Sequence, residues 1–219
     1  LGANDCHLVR RVEGLSGRVP MRMLCVPRFG YGRHPPVIKQ SSDSQILFQC
    51  GSDRLRLICE DAPLEVDHEG ALVRADFELS AGQQRDFVLS YGTADEAFPS
   101  PPLVQPTLSQ CAAWWREWIS HHNYRGPWEE PVKRSLITLK ALTYEPTGGM
   151  VAAATSSLPE VPGGEANYDY RYCWIRDAYD VVQALTRLGA ADILENYLGY
   201  LRNIIDAADG GHIQPLYGV

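Results

Sequence analysis

The chain has 219 residues, of which 45% are hydrophobic and 21% charged, and a formal net charge of −7. That is enough apolar material for one or two folded domains, and it argues against disorder over most of the length. The acidic balance disfavours nucleic acid and anionic membrane surfaces as main partners, and no apolar run reaches the roughly 18 residues of a membrane-spanning helix.

The first stretch, Leu1 to Arg10, lacks the basic-then-apolar layout of a secretion signal and has no initiator Met, so the true start is expected upstream. From about residue 18 to 91 the period is strand-like. Val19, Met21, Met23 and Cys25 alternate with Arg18, Pro20, Arg22 and Leu24. Short runs follow at Gln45–Cys50, Leu55–Cys59, Leu72–Leu79 and Arg85–Tyr91, separated by the turn signals GYGRHPP, CGSD, DHEG and SAGQQ. This spacing predicts an antiparallel β-sandwich, incomplete at its N-terminal side.

Residues 97–106 (AFPSPPLVQP) hold four prolines and read as a linker. Helical spacing then takes over. Thr107 with Gln110 resembles a capping box. Trp114, Trp115 and Trp118 are expected to pack against the sandwich. A helix is predicted over Glu129–Tyr144, with Val132, Leu136, Leu139 and Ala141 inward and Pro131 in its first turn. A Gly-, Pro- and Ser-rich loop runs from Glu145 to Tyr170, longer than ordinary connections. Two more helices are predicted. One covers about 177–188, with Ala178, Val181, Val182, Leu185 and Leu188 inward. The other covers about 190–208, with Leu194, Tyr197, Leu198, Leu201, Ile205 and Ala208 inward. Leu188-Gly189 reads as the stop between them.

Six cysteines (6, 25, 50, 59, 111, 173) form no C-x-x-C and no zinc-finger spacing, and several sit inside apolar runs. Free thiols in a reducing compartment are expected, hence a cytoplasmic location. The six histidines are scattered, and the adjacent His121-His122 pair falls at a helix end, where the dipole favours it. No metal site or cofactor is expected.

The most informative segment is Asn167–Asp177, NYDYRYCWIRD, with four aromatics, two arginines and two aspartates. Such a set suits a sugar. The C–H faces of a pyranose stack on Trp or Tyr, while a carboxylate and a guanidinium clamp its hydroxyl edge with charge-assisted bonds. Structural roles compete for the same residues. Asp177 fits a helix N-cap, with Asp180 supporting the dipole. Arg176 fits an ion pair with Asp169 or Glu165, and Tyr170, Tyr172 and Trp174 fit alternate core packing.

The segment YEPTGGMVAAATSSLPEVPGGEANYDYRYCWIRDA, Tyr144–Ala178, resembles a signature of glycoside hydrolase family 15, which includes bacterial glucoamylases, glucodextranases and trehalases. GGHIQPLYGV resembles the family's next block. Upstream, Arg10–Arg33 resembles the β-sandwich that precedes the catalytic barrel in trehalase-like members. The resemblance implies a β-sandwich at 1–105, a linker helix at 106–130, and the first helices of an (α/α)6 barrel at 131–219. It also implies a glucose-containing carbohydrate as ligand. Arg176 and Asp177 would hold the non-reducing glucose in the deepest subsite, with Trp174 and Tyr170 lining it and Tyr172 nearby.

The family reaction is inverting hydrolysis, in which one carboxylic acid protonates the leaving oxygen and a second carboxylate activates water. The family's two catalytic glutamates lie in later barrel loops. Glu145, Glu160 and Glu165 match neither, so no catalytic residue is assigned. The expected entity is a fragment of an exo-acting hydrolase releasing glucose from α-glucans or trehalose and lacking the acid and base. The alternative is a non-catalytic carbohydrate-binding or regulatory module of the same fold. Exposed faces on the last two helices predict poor solubility or self-association.

Overall fold

A computed structural model describes residues 6–30, 32–93, 98, 100–155, 161–165, 168–208 and 211–219. Residues 1–5, Glu160 and Asn167 lie outside the described residues. The chain divides into two compact units, Leu1–Cys111 and Ala112–Val219.

The first unit is built from eight strands: β1 (His7–Glu13), β2 (Arg18–Cys25), β3 (Val37–Ser42), β4 (Gln45–Cys50), β5 (Asp53–Ile58), β6 (Glu65–Asp67), β7 (Leu72–Ser80) and β8 (Gln84–Thr93). They form two antiparallel sheets, a five-stranded one ordered β1-β8-β5-β4-β3 and a three-stranded one ordered β2-β7-β6. The sandwich expected from sequence is present. β1, β3 and β6 are additions to the predicted strands.

Alternation decides the faces. In β7, Val73, Ala75 and Phe77 turn to the core, while Arg74 and Asp76 turn outward. The core contains Ile46 and Phe48 of β4, Leu57 of β5, Val73 and Ala75 of β7, and Phe87 of β8. Outward charges pair across strands, Arg22 with Asp76 and Arg74 with Glu65. After β8, Phe98 lies over Gly92, with the guanidinium groups of Arg54 and Arg56 each 4.8 Å from the ring centre.

Helix α1 spans Val104–Ser120. The predicted capping box is therefore wrong. Thr107 lies inside the helix, where its hydroxyl donates to the Leu103 carbonyl at 2.8 Å. Trp118, expected on the sandwich, packs with Ile119 on the helical core, and Trp114 is half exposed.

The second unit holds α2 (Glu129–Ala141), a two-residue strand β9 (Cys173–Trp174), α3 (Ile175–Arg187), α4 (Asp192–Ala207) and a second short strand β10 (Leu216–Tyr217). Leu136 of α2 and Ala178, Val182 and Leu185 of α3 are buried together, as the 3.6-residue period required. Ala141, expected inward, is exposed. The α3 stop is a Schellman motif. Gly189 takes a φ of 103°, its N–H donates to Thr186 at 3.3 Å, and Ala190 donates to Leu185 at 2.9 Å.

The buried stripe of α4 differs from the expected one. Ile193, Tyr197, Tyr200 and Ile204 face the core, while Leu198 and Ile205 face solvent. Both tyrosines satisfy their hydroxyls as they are buried, Tyr197 on the Ile175 carbonyl at 3.4 Å and Tyr200 on Gly218 at 2.7 Å.

Candidate functional site

The aromatic stretch is held from two sides by backbone hydrogen bonds. On one side, Ala152 donates to the Tyr172 carbonyl at 3.1 Å and Ala153 to Tyr170 at 2.8 Å. On the other, β9 pairs antiparallel with β10, Trp174 opposite Leu216 and Cys173 opposite Tyr217. Ile175 donates to Pro215 at 3.1 Å and opens α3. The two segments singled out in the sequence are thus joined in space.

Within this frame Cys173 turns into the helical core and is fully buried. Burial pushes its thiol above the ordinary value. Trp174 and Tyr170 remain partly exposed and line a cavity of about 350 Å³ together with Ala152, Tyr168, Arg176 and Asp177. All four site residues expected from sequence border this one cavity. Tyr172 does not line it. Tyr168 and Ala152 are additions to the expected set. Tyr168 lies within the same aromatic stretch, edge-on to Trp174 with ring centres 6.4 Å apart. Ala152 carries no chemical signal and reaches the cavity only through the backbone pairing.

The capping role of Asp177 does not hold. The N-cap position is Trp174, without a side-chain cap bond, and Asp177 lies in the first helical turn. There its carboxylate favours the helix dipole while its oxygens stay half exposed. The ion pair expected for Arg176 is also different. Asp169 is taken by Arg171 through a two-point contact at 2.9 and 2.7 Å, and Arg176 stands 3.7 Å from Asp177.

Arg171 holds the Asp169 carboxyl below the usual carboxylate range. The Arg176 side chain is 84% exposed. The Trp174 indole N–H is buried and has no hydrogen-bond partner among the described residues. Buried donors are rarely left unpaired. Among the described residues no group of three or more His, Cys, Asp or Glu side chains is arranged to hold a metal ion.

Residues 126–218 match the family model for glycosyl hydrolases family 15. This part of the chain belongs to that family. The chain is similar to proteins named trehalase over nearly all of its length. It is 33% identical to the trehalase of Mycobacterium tuberculosis, over 97% of this chain and 32% of that protein. It is 32% identical to the Mycolicibacterium smegmatis trehalase, over 97% of this chain and 33% of the relative. For the Thermoplasma acidophilum trehalase the identity is 32%, over 96% of this chain and 35% of the relative. The chain spans about a third of the length of these curated relatives.

Proposed function

We propose that the chain supplies part of the glucose-binding site of an inverting, exo-acting glycoside hydrolase that releases glucose from trehalose or an α-glucan. Asp177 accepts two sugar hydroxyl protons, and Arg176 donates to the hydroxyl oxygens of the same edge. Trp174 and Tyr170 offer aromatic faces to the pyranose C–H groups. The observation that supports this reading is the meeting of these four side chains around one cavity of about 350 Å³. That volume is at the small end of ligand pockets. The trehalase names of the relatives favour trehalose.

Inversion needs an acid and a base on opposite faces of the bond, roughly 6.5–9.5 Å apart. Among the described residues, Asp177 is the single carboxylate lining the cavity. The acid and base would come from the further length that the relatives possess. A cytoplasmic location is part of the proposal, supported by six cysteines that are all free thiols.

The same lone carboxylate favours a second reading, a carbohydrate-binding module without hydrolysis. Calorimetry with glucose, maltose and trehalose tests both. Saturable binding that disappears in Asp177→Asn supports the sugar site, and binding unchanged by that substitution removes it. For a longer form of the protein, trehalose hydrolysis supports the enzyme, and sugar binding without turnover supports the module.

A further inference from the structure

We propose, building on the sugar reading of the cavity, that Tyr200 is a positioning residue of that site, with Tyr197 as its partner. It fixes the ribbon that presents Trp174 and is not itself among the residues lining the cavity. The ribbon is short. β9 and β10 contribute two residues each, Cys173 opposite Tyr217 and Trp174 opposite Leu216. Two-stranded ribbons are marginal on their own, so two pairs do not hold Trp174 in one place. Helix α4 supplies the missing restraint.

Tyr200 donates its hydroxyl to the Gly218 carbonyl at 2.7 Å, just after β10. Tyr197 reaches the Ile175 carbonyl at 3.4 Å, just after β9. The strands run antiparallel, so these carbonyls mark opposite ends of the ribbon. One helix therefore ties both strands. The two rings are stacked, with centres 6.1 Å apart and planes inclined by 28°, so each restrains the other. Both are buried, and Cys173, next to Trp174, is buried in the same cluster. A second wall of the cavity leans on the same ring. A Cβ on Gly149 would lie 3.0 Å from the Tyr200 ring, so the chain passes close against it. Three residues later, Ala152 lines the cavity and donates to the Tyr172 carbonyl.

Packing alone does not call for a hydroxyl at position 200, since a phenylalanine ring would fill the same space. Apolar contact is non-directional, whereas a hydrogen bond sets where its acceptor lies. The Tyr200 hydroxyl thus contributes placement of the ribbon, and side chains that grip a ligand act only when their supports hold them to within about half an ångström.

Trehalose titration of Tyr200→Phe, followed by nuclear magnetic resonance, tests the proposal. The variant keeps the ring and loses the hydroxyl. Expected are a displaced Trp174 indole signal in the free chain, together with the Leu216 amide, and a trehalose affinity lowered about threefold or more. Tyr197→Phe should act in the same direction but less, because its bond is longer. Ile193→Val trims a fully buried apolar residue of the same helix. It should lower the melting temperature and leave both readouts unchanged. An unmoved Trp174 signal in Tyr200→Phe, or an affinity equal to the parent's, overturns the proposal. So does an equal response to Ile193→Val, since Tyr200 would then act through core stability alone. A parent that binds no trehalose removes the sugar reading, and the Trp174 signal of the free chain still decides whether Tyr200 places that residue.

Discussion

Asp169 accepts the Arg171 side chain at 2.9 and 2.7 Å and the Arg171 backbone N–H at 3.0 Å, closing a turn around Tyr170. Tyr170 lines the cavity, so this turn fixes one wall of the proposed sugar site. Asp169→Ala should lower sugar affinity several-fold in calorimetry. Thermal stability should change by no more than about 1 kcal/mol, because both side chains are partly exposed and such pairs contribute little. A large loss of stability with unchanged affinity would give Asp169 a purely structural role.

Two glycines near the helical core should respond in opposite directions. Gly148 has a φ of 81°, and a Cβ there would lie 2.2 Å from the Asn196 carbonyl oxygen. Gly148→Ala should destabilise by roughly 2–4 kcal/mol in chemical denaturation, combining backbone strain with a clash that backbone cannot relieve. Gly199 sits inside α4, where a Cβ would meet nothing within 4 Å. Gly199→Ala should stabilise by about 0.5–1 kcal/mol through helix propensity.

Cys25 lines a cleft of the sandwich, and burial pushes its thiol from an ordinary 9.0 up to about 11. Its folded value is the higher one, so the unfolded chain releases this proton first as pH rises. The contribution is fully present below pH 9 and is lost progressively up to about pH 11. Melting temperature measured over that window should fall less steeply in Cys25→Ala than in the parent. Identical slopes would mean that the thiol is solvated.

Much of this architecture is legible locally. β4 follows from a short apolar run between turn signals, β7 from alternation, and α3 from Ala178, Val182 and Leu185 on one stripe. β1 is hidden because the exposed Leu8 and the half-buried Arg11 in HLVRRVE break the apolar–polar alternation. β3 buries only Ile38, too little to register as a strand. In α4 the tyrosines displace Leu198 and Ile205 from the core, because carbonyls distant in sequence satisfy their hydroxyls.

The site residues are legible by composition, but their geometry is not. Asp177 looks like a cap because a carboxylate before an apolar stripe usually is one. Pairing of Trp174 with Leu216 starts the helix earlier, and no local rule contains a contact that distant. Tyr168 does not stand out among four alternating aromatics, since spacing alone does not tell which of them border a cavity.

The most direct test is a nuclear magnetic resonance titration of the chain with trehalose, following the indole N–H of Trp174, which is buried without an acceptor among the described residues. The account predicts a saturable shift of that signal together with the amides of Arg176 and Asp177, and its disappearance in Asp177→Asn. Trehalose-induced shifts confined to other regions, or a Trp174 response indifferent to Asp177→Asn, would contradict it.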